Sequence, residues 1–284
     1  MISALHIEDI VRAALKEDLG HGHDITTECT VPLDKDARAV VNARKAGRLA
    51  GVVAGLAAFT ITDPDCEIEL LKGDGEDVAA GENIAIITGS ARAILTAERV
   101  ALNFMQHLSG IATLTKQYVE AIDGTGAKIA DTRKTTPLLR SLEKQAVRLG
   151  GGMNHRFGLD DAVLIKDNHI ALAGGIYPAL QMARSNAGHM VKIEIEVDTL
   201  DQLEEVLQHG GGADIIMLDN FSVTDMVKAV KRIDNKAIIE ASGGVALQTV
   251  KEIADTGVHI ISVGAITHSA PALDIGLDID ALDE

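Results

Sequence analysis

The chain has no tryptophan, and its 284 residues include only four phenylalanines and two tyrosines. Aromatic rings are the platforms on which unpaired bases stack, so single-stranded nucleic acid has little to hold here. Cysteine is nearly as scarce. Cys29 and Cys66 stand alone, too few and too isolated for a disulfide framework or a zinc knuckle. No apolar run approaches membrane-spanning length, and the amino terminus lacks a basic region leading into an apolar stretch. Positive charge is in deficit too: 26 Lys and Arg against 42 Asp and Glu give a formal net charge of −16. A nucleic-acid binder needs a basic face, so this balance argues against one. The expectation is a cytoplasmic protein of a reducing compartment, with neither nucleic acid nor membrane as partner.

What is present is aliphatic and globular, with 46% hydrophobic and 24% charged residues. The length suggests about two domains, or one barrel with an addition. Ile7, Ile10, Val11, Ala14 and Leu15 recur at helical spacing and predict an amphipathic first helix ending near Gly20. His21 and His23 follow in a glycine-rich turn without a third ligand, which reads as a polar loop rather than a metal site. From Ala37 to Thr88 short apolar runs broken by glycine predict antiparallel strands, one of them at Leu49 to Val53. The piece from Gly73 to Ile84 is similar to the turns of lipoyl and biotinyl carrier folds, but no lysine is apparent at a hairpin tip. A helical stretch from Arg92 to Asp123 is expected to break at Ser109-Gly110, and that break marks the domain boundary.

Downstream the pattern becomes regular. Predicted strands at Lys128 to Asp131, Ala162 to Lys166, Lys192 to Val197, Ile215 to Asp219, Lys236 to Ala241 and His259 to Gly264 alternate with helices. Those helices are expected at Leu138 to Leu149, Tyr177 to Ser185, Leu200 to Gln208, Val223 to Arg232 and Leu247 to Thr256, the first opening at Pro137. Such alternation gives parallel strands with helices outside them. No Gly-x-Gly-x-x-Gly follows the first strand, which disfavours a dinucleotide fold.

In barrels of this kind the reacting groups stand at the carboxyl ends of the strands. Read in order, those ends are Asp131-Thr132-Arg133-Lys134, Lys166-Asp167-Asn168-His169, Glu194-Ile195-Glu196, Asp219-Asn220, Glu240-Ala241-Ser242-Gly243-Gly244 and Val263-Gly264. An ordinary strand end needs no charge, so charge after nearly every strand points to one shared site. Glu194 and Glu196 alternate with Ile193, Ile195 and Val197 and face the opposite side; Glu194 lies deeper and is the weaker candidate. Carboxylates turned inward must be paired, with Lys134 and Lys166 the available cations. The glycines at 243, 244 and 264 let backbone N–H groups approach a phosphate, and the helix expected after Ala246 adds its positive end. Arg156, with Arg133 and Lys166, could grip a molecule bearing two carboxylates, since guanidinium forks match carboxylates.

Several long motifs then fall in a recognisable order. Asp18-Leu19-Gly20 with Asp24-Ile25-Thr26-Thr27, Glu98-Arg99-Val100-Ala101-Leu102-Asn103, Leu108-Ser109-Gly110-Ile111-Ala112-Thr113, Asp131-Thr132-Arg133-Lys134-Thr135 and Leu164-Ile165-Lys166-Asp167-Asn168-His169 closely resemble the quinolinate phosphoribosyltransferase family. The likeness runs nearly end to end and takes in Glu196, Leu218-Asp219-Asn220 and Ser242-Gly243-Gly244. His107 departs from it, standing where the family is expected to favour arginine.

The resemblance implies an α/β protein: an N-terminal α/β sandwich over residues 1–110 and a C-terminal partial parallel α/β barrel of six to seven strands over 111–266. The tail 267–284, where Leu273, Ile275, Leu277 and Ile279 alternate, is a candidate to return to the first domain. It further implies phosphoribosyl transfer from phosphoribosyl pyrophosphate to quinolinate with loss of CO2, Mg2+ as the only cofactor, and a homodimer, with a hexamer as the alternative assembly. Arg133, His155, Arg156 and Lys166 would surround quinolinate, joined by Arg99 from the partner subunit. Lys134, Glu196 and Asp219 would serve the phosphoribosyl donor, Glu196 and Asp219 also its metal. Ser242, Gly243, Gly244 and Gly264 would hold the 5′-phosphate, and Asp131 would steady the Arg133–Lys134 pair. Two other classes compete: a Schiff-base aldolase using Lys166, and a carrier or small-anion binding protein using the Gly73 to Asn83 segment.

Overall fold

The strand-and-helix alternation downstream of residue 127 becomes a single parallel sheet. In the computed structural model, which describes residues 2–208 and 212–282, its strands are β6 (Lys128–Ala130), β7 (Val163–Ile165), β8 (Ile193–Val197), β9 (Ile215–Asp219), β10 (Ile238–Ser242) and β11 (Ile260–Ser262). The order is β6-β11-β10-β9-β8-β7. Among the described residues no ladder joins β6 to β7, so the cylinder is partial, as the fold class requires. Helices α6 (Asp167–Ala173), α7 (Ile176–Asn186), α8 (Leu200–Gln208), α9 (Val223–Ile233), α10 (Val250–Ala254) and α11 (Ala265–His268) follow the strands. Ile193, Ile195, Val197, Leu218, Ile239 and Ala241 are buried to 1% exposure or less. The register sets Glu196, Met217 and Glu240 side by side on the opposite face from these residues.

By compactness the chain forms two units: residues 1–116, 136–151 and 269–284, and residues 117–135 and 152–268. The first contains an antiparallel sheet of order β12-β1-β5-β3, with β1 at Asp36–Ala43, β3 at Glu67–Leu70, β5 at Asn83–Ser90 and β12 at Ile275–Ala281. Two short strands, β2 (Gly47–Arg48) and β4 (Asp77–Val78), pair apart from it. Its helices are α1 (Ala4–Leu19), α2 (Ile25–Thr30), α3 (Val52–Thr62), α5 (Arg140–Leu149) and most of α4 (Ala91–Ala121). Ser3 caps α1 and Asp24 caps α2, each accepting a backbone N–H of the first turn.

Three sequence expectations are corrected here. Helix α4 runs through Ser109-Gly110 unbroken for 31 residues. Those small residues serve close packing: the Ser109 hydroxyl bonds both the N–H and the C=O of Ala50 at 3.0 Å, and a Cβ on Gly110 would strike the Pro271 carbonyl. The segment Leu49 to Val53 is not a strand. Gly51, with φ 76°, turns the chain into α3, whose apolar run is helical and buries Val52, Ala54, Ala58 and Phe59. Helix α5 starts at Arg140 rather than at Pro137, because Leu138 adopts φ 68°, outside helical space. The intervening turn is tied down by Glu143, which is fully buried, accepts the Thr136 N–H at 3.0 Å and meets His107 Nε2 at 2.8 Å. His107 is thus a partner for a buried acid.

Candidate active site

Arg133, Lys134 and Lys166 stand just past the strands β6 and β7, and Arg156 on the loop before β7 joins them. A cleft of about 370 Å³ is lined by Thr132, Arg133, Lys134, His155, Arg156, Leu164, Lys166, Glu196, Met217, Asp219, Ser242 and Ser262. A second cavity of about 610 Å³ shares Arg133, Arg156, Leu164 and Lys166 and is otherwise mostly apolar, with Val163, Ile165, Ala179 and Met182 among its walls. Eight of the expected residues therefore meet at one place. Arg99 lies in the first unit on α4, its side chain 61% exposed and 4.0 Å from Glu98.

The guanidiniums carry the clearest sign of use. Arg156 donates to the Ala162 carbonyl at 2.9 Å, yet its Nε, like that of Arg133, is buried with no hydrogen-bond partner within the protein. A buried N–H without an acceptor is costly, and two on adjacent guanidiniums are satisfied together by an anion. Burial first, then the charge of Arg133, pulls the Arg156 pKa below the ordinary guanidinium value. An anionic ligand would reverse that tendency.

Lys166 is ion-paired with Glu196 across the neighbouring strands. An ammonium paired with a carboxylate is poorly placed to act as an amine nucleophile, which weighs against the aldolase reading. Lys166 also begins helix α6, its N–H 3.0 Å from His169 Nδ1, so the expected loop Lys166 to His169 is a helix start. Lys134 is held by Thr132, whose hydroxyl accepts its N–H at 3.0 Å, and by Thr267, which donates to its carbonyl at 2.8 Å.

His155 is placed by two carboxylates and a backbone contact. Its N–H donates to Oδ1 of the fully buried Asp131 at 2.8 Å, and its Nε2 lies 3.0 Å from Glu194 Oε2. Asp131 thus holds the His155 loop. Glu240 sits on the same floor, 3.5 Å from His155 Nε2 and accepting from Ser262. Burial first, then the Glu194 carboxylate, pushes the Glu240 carboxyl up from 4.5 to about 7, against the opposing pull of His155 and Ser262.

Oxygen donors cluster at the carboxyl ends of β8 and β9. Carboxylate oxygens of Glu196, Asp198 and Asp219 lie within 4.8 Å of one another. An all-oxygen set of this kind fits Mg2+, which is held by one or two carboxylates together with substrate phosphates. Asp198 was not singled out by sequence, although it directly follows the last residue of β8.

The glycine cradle precedes a helix shorter than the one expected behind it. Gly243 and Gly244 have φ of 89° and 61°, and a Cβ on Gly243 would strike the Asn220 side chain. Asn220, itself at φ 54°, donates its N–H to the Ser242 carbonyl at 2.9 Å. Helix α10 starts only at Val250 and is five residues long, so the turn itself presents the N–H groups. Gly264 lies between Lys134 and His268: a Cβ there would be 3.1 Å from Lys134 Cδ and 3.2 Å from His268 Nε2. Sequence reading missed His268, whose signal is its place four residues past Gly264.

A partial barrel whose cleft gathers arginines, lysines, carboxylates and a glycine turn is the frame of a transferase. Comparison with known proteins makes this specific. The family described as "Quinolinate phosphoribosyl transferase, C-terminal domain" matches residues 111–278, and its N-terminal domain counterpart matches 24–109. The chain belongs to the quinolinate phosphoribosyltransferase family. A nicotinate-nucleotide pyrophosphorylase (carboxylating) of Mycobacterium leprae is 45% identical over 280 residues, covering 95% of this chain and 96% of that one. A probable counterpart in Bacillus subtilis is 43% identical, covering 99% and 96%. The crystal structure of NadC from Streptococcus pyogenes superposes with a TM-score of 0.94 at 40% identity, covering 100% and 99% of the two chains.

Proposed function

We propose that this chain transfers the phosphoribosyl group of phosphoribosyl pyrophosphate to the ring nitrogen of quinolinate, giving nicotinate mononucleotide, pyrophosphate and CO2. The single observation that carries this reading is the pair of buried, unpartnered Nε atoms of Arg133 and Arg156 in a cleft that also holds Lys166. Quinolinate offers two adjacent carboxylates to that set, with His155 reaching the same anion.

As the bond from ribose C1 to pyrophosphate breaks, C1 becomes oxocarbenium-like, and the carboxylates of Glu196 and Asp219 stabilise that charge. Lys134 offsets the negative charge that develops on the departing pyrophosphate. Glu196 and Asp219 would hold Mg2+ together with the donor's phosphates, where it would add to the neutralisation of that group. The pyridine nitrogen then bonds to C1. The ring becomes cationic, the bond from C2 to its carboxylate breaks, CO2 leaves, and the electron pair stays on C2 beside the ring cation until a proton arrives. Ser242, Gly243, Gly244 and Gly264 hold the 5′-phosphate through backbone N–H groups. No organic cofactor enters this chemistry.

The assembly we favour is a homodimer in which Arg99 reaches the partner's quinolinate. The first unit supports a partner: a cavity of about 910 Å³ runs along Ile10, Ala13, Val100 and Phe104, next to Leu138 at 91% exposure. Among the described residues no helix is long and apolar enough to cross a membrane, and we place the protein in the cytoplasm. Incubation of the pure protein with quinolinate, donor and Mg2+ should release CO2 only when the donor is present. Donor-independent release, or none, would refute the reading.

A further inference from the structure

Beneath the cleft, carboxyls from two strands close on one imidazole edge. Glu194 lies within β8, Glu240 within β10, and His155 on the loop before β7, with candidate ligand atoms of all three within 4.8 Å of one another. The transfer chemistry above uses neither Glu194 nor Glu240, yet they are buried to 5% and 1% exposure. Burying two carboxyls beside each other is expensive, so their presence calls for a role. Glu194 Oε1 is buried and accepts no hydrogen bond from the protein. An acceptor in that state needs a proton close by. A protonated carboxyl on the adjacent Glu240 can give one, while Ser262 donates to Glu240 Oε1.

We infer that Glu240 is a positioning residue that, with Glu194, grips the Nε2 edge of His155 from below and so fixes the tautomer and tilt of the imidazole facing the cleft. This rests on the reading of His155 as a quinolinate ligand. The backbone of His155 is already tied to Asp131 at 2.8 Å, so the ring is the remaining freedom to be removed. A hydrogen bond that sets which ring nitrogen bears the proton decides what the other nitrogen offers to a ligand. The carboxyl pair therefore acts on quinolinate only through the ring.

Full-length Glu240→Ala, Glu240→Gln, His155→Ala and the double variant Glu240→Ala/His155→Ala test this, with each substrate varied in steady state. Losing one charge-assisted contact's worth of orientation should raise the quinolinate KM of Glu240→Ala on the order of tenfold. The donor KM should stay within about twofold, the size of an unrelated surface change. Glu240→Gln, which can still donate to Glu194 and accept from Ser262, should recover most of the loss. The double variant should bind quinolinate no worse than His155→Ala alone, because the two residues act in series. Equal increases in both KM values, or additive losses in the double variant, would overturn the inference. So would stoichiometric zinc in the purified protein that is lost in His155→Ala, since a cation would then hold the three groups. If the wild type turns over neither substrate, the functional reading fails while this one stays testable. In the free protein the ring-nitrogen NMR shifts of His155 should move in Glu240→Ala and stay near wild type in Glu240→Gln; unmoved shifts would sink it.

Discussion

Replacing Glu240 by glutamine should stabilise the protein, and only at the alkaline end of its range. The Glu240 carboxyl is raised in the folded chain from 4.5 to about 7, chiefly by burial and by Glu194. A group raised in this way favours folding fully below its unfolded pKa, and that contribution is lost as pH climbs through the folded value. Each tenfold in proton affinity is worth about 1.4 kcal/mol, so the wild type should lose about 3 kcal/mol between pH 4.5 and pH 8 through this residue. Glutamine has no proton to lose. Its carbonyl can accept from Ser262 and its amide can donate to Glu194, so the two proteins should match near pH 4.5 and part steadily above it. Unfolding entropy of about 2.1 cal/mol/K per residue gives roughly 0.6 kcal/mol/K for 284 residues, so the gain at pH 8 corresponds to about 5 °C in Tm. Urea melts and thermal scans at pH 4.5, 6 and 8 read it directly. A Tm difference independent of pH, or a less stable glutamine variant at pH 8, would refute the burial argument.

Arg133→Ala should weaken quinolinate binding by about 2–3 kcal/mol, or roughly 30- to 150-fold, because Arg156 loses its partner in gripping the anion. Calorimetry should show a much smaller change for the phosphoribosyl donor, and equal losses would contradict the assignment. Gly110→Ala should cost about 1–3 kcal/mol, since its Cβ meets the Pro271 carbonyl rather than a flexible side chain. Chemical denaturation measures that loss, and a neutral result would mean the 271 segment yields.

The parallel sheet was legible because its strands are short, apolar and flanked by helices, and β8 and β9 carry their functional acids at their carboxyl ends. Arg133, Lys134, Lys166 and Asp219 could be singled out for the same reason, since a charge after a buried strand is conspicuous. The first unit was harder. Val52 to Phe59 is apolar on every side, and an unbroken apolar run does not distinguish a buried helix from a strand. At Ser109-Gly110 small residues that commonly mark a break instead admit the backbone of residues 271 and 272. Glu240 was visible at a strand end, but its neighbours Glu194, His155 and Ser262 come from separate strands and a loop. Their convergence depends on strand order, which local pattern does not carry.

The sheet order of the first unit has a consequence for how the chain is made. Strand β1 is bracketed by β5 and β12, and its Asn42 bonds Asp278, 236 positions later. At about 5–20 residues per second, roughly 10–50 s of synthesis separates the two. Throughout that interval the β12-facing edge of β1 has no strand of its own to accept, and an open strand edge invites pairing with other chains. The nascent protein therefore has a period of vulnerability, which ends only when β12 has been synthesised and docks.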